Sequence, residues 1–142
     1  MPHQVSVFAE NRPGKIERIT GVLLKKNIDI RAITISDSGD YGIVKLLVDR
    51  PQEAADLLKE EGIAATLRDI VAIRVKDKPG GLYEAASILT RSGVNVEDAY
   101  GFIVERKKDA VFVFQVEDVR KTERVLSDAG FSILTDGELY LI

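Results

Sequence analysis

The sequence predicts an α+β fold in which the element order βαββαβ occurs twice along the chain. Two observations predict it. A Pro-Gly pair occurs at 13–14 and again at 79–80, so the two prolines are 66 positions apart (79 − 13). Each pair follows a short β-prone run and precedes a run with helical spacing, which is typical of a strand, a tight turn and a helix N-terminus.

Apolar periodicity separates the helices from the strands in the first half. Ile16, Ile19 and Leu23 recur on one helical face after the first Pro-Gly pair. The apolar phase of the next strand changes between positions 30 and 33, which predicts a β-bulge. The predicted strands lie at 5–8, 28–35, 42–48 and 63–67, and the predicted helices lie at 15–26 and 51–61.

The second half repeats this order. Gly93 stands 66 positions after Asn27, and both residues suit the left-handed turn that ends a helix. Asp118 suits the N-cap of the last predicted helix. Leu139 to Ile142 is expected to extend the last strand or to pair elsewhere as a strand. The predicted strands lie at 70–75, 94–104, 110–116 and 131–134, and the predicted helices lie at 82–92 and 119–129.

A βαββαβ unit is the split-βαβ, ferredoxin-like arrangement. Its crossovers are right-handed, which puts both helices on one face of a four-stranded sheet. The chain is therefore expected to form two such units in tandem, one at 1–68 and one at 69–142.

Composition excludes several classes of function. The chain has 142 residues and a net charge of −3, so no general attraction to nucleic acid or to an anionic membrane is expected. It lacks cysteine, and its one histidine, His3, lies near the terminus without a second metal ligand nearby. No apolar run reaches membrane-spanning length, and no secretory signal is visible, so a cytoplasmic location is expected.

The same composition gives catalysis little support. No serine or threonine has a credible histidine and acid partner, and the phosphate-binding pattern GxxxxGK[ST] is absent. We therefore expect no catalytic residue, no metal and no cofactor.

The two Pro-Gly turns are the candidate binding sites. A helix N-terminus presents backbone N–H groups without intrahelical partners, and its dipole favours negative charge. Glycine allows a ligand to come close to the backbone. A single Pro-Gly turn is most simply architecture, but two copies in matching contexts favour a repeated site for a small anion or zwitterion.

These residues resemble the ACT domain, a small regulatory module that binds amino acids. The first copy carries Glu10-Asn11-Arg12-Pro13-Gly14, a helix and then Ile28-Asp29-Ile30, and the second carries Asp77-Lys78-Pro79-Gly80 and later Val94-Asn95-Val96. The resemblance covers essentially the whole chain. It implies a stand-alone tandem ACT protein without a catalytic domain.

The resemblance also implies where a ligand binds. In ACT domains of the serine-regulated 3-phosphoglycerate dehydrogenase type, one Asn before Arg-Pro-Gly and one Asn at the start of the second strand bind the ligand. Asn11 and Asp29 hold those places in the first copy, and Asp77 and Asn95 hold them in the second. The family's His two residues earlier is replaced by Ala9 and by Val75, which removes one polar contact.

A zwitterionic amino acid would suit this chemistry. Its carboxylate can meet backbone N–H groups of the turns, and its ammonium can meet Asp29, Asp77 or an Asn side-chain oxygen. In the family, ligands lie between two ACT units. The expected ligand-binding residues are Asn11, Arg12, Pro13, Gly14, Lys15, Asp29, Ile30, Asp77, Lys78, Pro79, Gly80, Gly81, Leu82, Asn95 and Val96.

Two alternatives stay open at this point. The protein could be a regulatory subunit that acts through protein contacts with an enzyme or transcription factor, and an exposed apolar sheet face would favour a homodimer. It could also bind RNA, because RNA-recognition domains share the βαββαβ order and Phe112 and Phe114 lie on one strand face. However, Asp109 and Ala110 replace the glycine and the aromatic residue of that signature.

Overall fold

The computed structural model describes residues 2–142, which divide into two compact units. The first unit contains His3–Arg68, and the second contains Asp69–Tyr140 together with Pro2. Both units follow the predicted element order.

The first unit has four strands and two helices. They are β1 (His3–Glu10), α1 (Lys15–Leu24), β2 (Ile30–Ser38), β3 (Tyr41–Val48), α2 (Pro51–Glu60) and β4 (Ala64–Asp69).

The second unit repeats this order and adds a short helix at its end. Its elements are β5 (Val71–Lys76), α3 (Gly81–Arg91), β6 (Val96–Glu105), β7 (Asp109–Val116), α4 (Val119–Asp128), β8 (Ser132–Ile133) and α5 (Asp136–Tyr140).

Each unit contains a four-stranded sheet with its two long helices on one face. The strand orders are β2-β3-β1-β4 and β6-β7-β5-β8, with antiparallel pairing around the central strands. In the first unit, alternate residues of β1 and β3 pack with the buried faces of α1 and α2. The second unit has the corresponding core, which includes Phe114 at 2% exposed.

Local signals in the sequence produce the expected turns and caps. Asn27 has φ 54° and Gly93 has φ 72°, so both adopt the predicted left-handed conformation. The register of β2 against β3 shifts between Ile30 and Ala32, which is the predicted bulge. The Asp118 carboxylate accepts a hydrogen bond from the Lys121 backbone N–H at 3.0 Å and caps α4.

The prediction of a strand at 139–142 is wrong. Asp136–Tyr140 is helical, and Leu139 is fully buried. Thr135 and Glu138 form a reciprocal capping box, because the Thr135 N–H donates to Glu138 Oε1 at 3.2 Å and the Glu138 N–H donates to Thr135 Oγ1 at 3.3 Å. The T-x-x-E spacing therefore favours a helix start in this segment.

Candidate functional site

The two Pro-Gly turns lead into helices in the same way. Gly14 has φ 91° and Gly80 has φ 92°, a left-handed conformation that favours glycine. No side chain in the described part of the chain caps α1 or α3. In the second turn, however, the Gly81 backbone N–H donates to the Lys78 carbonyl oxygen at 3.3 Å. The two turns thus share a left-handed glycine before an uncapped helix, and anion binding there stays a prediction.

One position differs between the turns because of local packing. A β-carbon on Gly81 would lie 3.1 Å from the Lys76 carbonyl oxygen and 3.5 Å from Val75 Cγ2. The corresponding residue of the first turn, Lys15, carries a long cationic side chain. The first turn therefore has a cation that the second turn has no room for without local adjustment.

Asn11 braces the first turn against the β2–β3 hairpin. Its side-chain Nδ2 donates to the Gly39 carbonyl oxygen at 3.0 Å, and its backbone N–H donates to the Asp40 carbonyl oxygen at 2.7 Å. Its Oδ1 accepts a hydrogen bond from Lys15 Nζ at 2.9 Å. Both ends of the amide are thus engaged within the unit.

Asp77 braces the second turn with the direction of one hydrogen bond reversed. Its backbone N–H donates to the Lys108 carbonyl oxygen at 3.0 Å, as in the first unit. Its carboxylate, however, accepts from the Lys107 backbone N–H at 2.6 Å. Lys107 matches Gly39 in the hairpin register, and both have positive φ (68° and 78°). The exchange of Asn for Asp therefore follows the polarity of the hairpin group that each side chain meets.

The two candidates at the second strands lie just before those strands begin. Asp29 precedes β2, and its carboxylate forms an ion pair with Arg31 Nη1 at 2.7 Å. Its backbone N–H donates to Asp49 Oδ1 at 3.0 Å. Asn95 is exposed and precedes β6. Ile30 and Val96, the first residues of these strands, are half-buried and pack against the cores of their units.

A cavity of about 540 Å³ lies beside the first turn. Arg12, Pro13, Gly14 and Lys15 line it, as do residues of β1, α1, β3 and the start of β4. Asn11, Asp29 and Ile30 do not line it. The structure thus brings four of the seven first-copy candidates to the lining of one cavity, and of the other three Asn11 contacts the lining residue Lys15.

Nine of the thirteen residues that line this cavity are absent from the predicted ligand-binding residues, and three of them have contacts that define the cavity. Phe8 and Tyr41 stack with their ring centroids 5.3 Å apart and form an apolar wall. Arg18, one helical turn after Gly14, donates from Nη2 to the Glu61 carbonyl oxygen at 2.9 Å. Arg18 follows from helical spacing alone, whereas Tyr41 required the strand register to be known.

Positive charge predominates around the cavity. Its lining includes Arg12, Lys15 and Arg18 but only one carboxylate, Glu10, which gives a formal charge of +2 (3 − 1). Glu10 Oε2 lies 3.3 Å from Arg12 Nε. Nearby, a hydrogen bond from Lys25 and its charge lower the pKa of the Glu61 carboxyl below its ordinary value, and the charge of Arg18 makes a smaller contribution. The cavity is therefore suited to a ligand with negative charge.

The corresponding region of the second unit has different chemistry. Arg74 and Asp109 occupy the register positions of Phe8 and Tyr41 and form an ion pair at 3.4 Å. Lys78, Pro79 and Gly80 are exposed in the turn. Leu82, in the first turn of α3, is 41% exposed.

The features that favoured RNA binding face the protein core. Phe114 is 2% exposed, and Phe112 is half-buried against the same core cluster. Neither ring is presented to a single-stranded base. Among residues 2–142, no group of three or more His, Asp or Glu side chains could hold a metal ion. Over the same residues, none of the helices has the length and apolar character needed to cross a membrane.

Comparison with known proteins gave one family model and several similar structures. The model of an ACT domain pair matches residues 1–142. A crystal structure of a Bacteroides thetaiotaomicron protein has 30% sequence identity and a TM-score of 0.92, covering 99% of this chain and 96% of that chain. A comparison with curated protein sequences gave no match.

Two aspartate kinase regulatory subunits have a similar fold. The ligand-free subunit from Thermus thermophilus has 19% identity and a TM-score of 0.66, covering 91% of this chain and 93% of that chain. The subunit from Thermus flavus has 18% identity and a TM-score of 0.60, with the same coverages. At these identities the likeness supports the fold alone.

Proposed function

This chain belongs to the ACT domain family as a pair of ACT domains, and from that premise we propose that it is a non-catalytic regulatory protein that binds a small amino acid. Residues 1–68 and 69–142 are the two domains in this proposal. The ligand acts by shifting an equilibrium between states of the protein that bind it with different affinity.

The cavity beside the first turn is the observation that carries the proposal. Gly14, with its positive φ, leads into a helix start without a side-chain cap, and Lys15 and Arg12 line the same cavity. A carboxylate in this cavity would meet backbone N–H groups and cationic side chains together. The cavity volume lies within the usual range for small-molecule sites.

The output of such a sensor is a contact with another protein chain. Ile33 and Ile35 lie on one face of the edge strand β2 and are 42% and 49% exposed. Burial of such side chains against a second copy favours a homodimer. An enzyme or regulator that reads the bound state completes the proposal. The same surface supports the alternative of a subunit that acts through protein contacts without a ligand.

A thermal-shift screen against the twenty amino acids, with oligo-U RNA as a counter-screen, tests the proposal. A ligand that binds only the folded state at about 100 times its Kd adds about 2.7 kcal/mol to the free energy of unfolding. We expect a selective shift that Lys15→Gln weakens and that the control Lys26→Gln, at an exposed position outside the cavity, leaves unchanged. A screen in which no amino acid shifts the transition, or in which RNA alone does, would contradict the proposal.

A further inference from the structure

We propose that the cavity of the first unit selects a small dicarboxylate, either an acidic amino acid or its amino-free analogue, and that the second unit lacks this selectivity. This inference rests on the proposed function, because it names the ligand class of the same site. It depends on the charges, the apolar wall and the internal comparison between the units.

Two of the three cations around the cavity have neutral oxygens as hydrogen-bond partners. Lys15 Nζ donates to Asn11 Oδ1 at 2.9 Å, and Arg18 Nη2 donates to the Glu61 main-chain oxygen at 2.9 Å. Arg12, by contrast, is 3.3 Å from the Glu10 carboxylate. Lys15 and Arg18 can therefore each form a charge-assisted hydrogen bond with a ligand carboxylate.

The cavity provides few carboxylate acceptors for a ligand ammonium group. Glu10 is its one lining carboxylate and already lies beside Arg12. Asp29, one of the expected ammonium partners, does not line the cavity and pairs with Arg31 at 2.7 Å. A second ligand carboxylate thus gains more from this lining than an ammonium group or a neutral amide does.

The remaining wall suits the carbon chain between two carboxylates. The Phe8 and Tyr41 rings stack at 5.3 Å and stay 55% and 48% exposed, so a ligand's methylene groups can cover them. Ile63 and Ala64 at the start of β4 add further apolar surface.

The second unit keeps a cation, Lys78, at the place of Arg12 but replaces the aromatic wall and the other two cations. Arg74 and Asp109 already pair with each other at 3.4 Å where the first unit has its aromatic wall. Gly81 and Glu84 stand 66 positions after Lys15 and Arg18 (81 − 15 and 84 − 18). An anion at this turn would meet a carboxylate where the first unit presents a guanidinium.

Isothermal titration calorimetry of the full chain tests the inference with five probes at one ionic strength. The probes are glutamate, aspartate, glutarate, glutamine and lysine. We expect at least one dicarboxylate to bind about tenfold or more tightly than glutamine and lysine, since ligand charge decides the interaction. Glutamine or lysine binding as tightly as every dicarboxylate would overturn the inference.

Three variants locate the effect. Arg18→Glu installs the residue type of the second unit, and Lys15→Gln removes the other cation with a smaller change of shape. Each is expected to weaken dicarboxylate binding about tenfold or more. Lys26→Glu changes the net charge by the same two units as Arg18→Glu at an exposed position outside the cavity, and it should leave binding within about twofold. Equal losses in Lys26→Glu and Arg18→Glu would overturn the inference.

The outcomes separate this inference from the proposed function. Binding of neutral or basic amino acids without binding of dicarboxylates would overturn the inference and leave an amino-acid sensor standing. Binding of glutarate without binding of any amino acid would support the dicarboxylate site and contradict the amino-acid ligand. An absence of binding by all of the amino acids and glutarate would contradict both.

Discussion

The two units share a backbone plan and differ in the chemistry of matched pairs. At the first strand, a Phe8–Tyr41 stack corresponds to an Arg74–Asp109 ion pair. At the turn, the Asn11 amide donates to a hairpin carbonyl oxygen, whereas the Asp77 carboxylate accepts from a hairpin N–H. In each case both partners change together. The comparison teaches that a repeated fold preserves contacts between positions rather than residue types.

At a third pair of matched positions, the residue types differ between the units but the total side-chain volume is similar. In the first unit Ile35 lies opposite Val44, and in the second unit Gly101 lies opposite Phe112. A β-carbon on Gly101 would lie 2.5 Å from Phe112 Cδ1. The aromatic ring therefore covers the glycine, and one large side chain replaces two of intermediate size.

The largest expected effect comes from breaking this exchange. Gly101→Ile should destabilise the protein by about 1–3 kcal/mol, because the new side chain overlaps the Phe112 ring. Adding Phe112→Val restores the pairing of the first unit and should recover part of the loss. Urea unfolding measures both effects. Strictly additive losses in the double variant would show that the two positions do not exchange volume.

Exchange of Asn and Asp should change the free energy of unfolding by different amounts at the two turn–hairpin hydrogen bonds, Asn11–Gly39 and Asp77–Lys107. Asn11→Asp removes the donor to Gly39 and sets a carboxylate against a carbonyl oxygen, at a cost of about 1 kcal/mol. Asp77→Asn retains an oxygen that can accept from Lys107, so its cost should stay below about 0.5 kcal/mol. Equal costs in urea unfolding would remove the donor–acceptor explanation.

The two first-strand pairs should differ in their response to salt. A double-mutant cycle on Phe8 and Tyr41 should give a coupling energy of about 0.5–1.5 kcal/mol that salt leaves unchanged. The same cycle on Arg74 and Asp109, whose side chains are 34% and 40% exposed, should give about 0–1 kcal/mol that falls as salt rises. Matching salt responses would contradict the assignment of the two interactions.

The smallest expected effects are changes in the free energy of unfolding, one at acidic pH and one at alkaline pH. In the first unit, the Lys25 hydrogen bond and charge lower the pKa of Glu61 below its ordinary 4.5. The stabilisation is therefore present above that value and is lost as pH falls through the lowered pKa. The stability difference between wild type and Glu61→Gln should shrink from about pH 7 to about pH 3.

In the second unit, Tyr100 should make the free energy of unfolding depend on pH in the alkaline range. Burial raises the pKa of the Tyr100 hydroxyl above its ordinary 10.0, with smaller contributions from Asp98 and Tyr140. The folded state keeps this proton when the unfolded state loses it, so stability falls as pH rises above that ordinary value. Tyr100→Phe should lose less stability than wild type over this range. An equal alkaline loss would contradict the burial of the hydroxyl.

Local residue patterns predicted the fold well. The repeat of Pro-Gly turns, the left-handed Asn27 and Gly93 and the Asp118 cap all act within a few residues of themselves. Periodicity also identified the helix faces. The helix at 136–140 was missed although the Thr135–Glu138 capping signal lies in the sequence, because four apolar or aromatic residues near a terminus also resemble a strand.

The site was harder to predict because it depends on contacts between distant positions. Arg12 to Lys15 line the cavity together because they are consecutive residues of one turn. The partner of Asn11, however, lies 28 residues away, and that of Asp77 lies 30 residues away. Tyr41 reaches Phe8 only through the register of β1 against β3. Such pairings require strand register, which residue spacing does not supply.

One measurement tests the central claim that the first unit carries the ligand site. It is a titration of the isotope-labelled full chain with whichever of glutamate, aspartate and glutarate binds most tightly in calorimetry, followed by two-dimensional amide NMR. The account predicts shifts that saturate and that cluster at residues 12–18 and 62–64, with the matched positions 78–84 unchanged. Saturating shifts that cluster at 78–84, or a titration without any saturating shift, would contradict it.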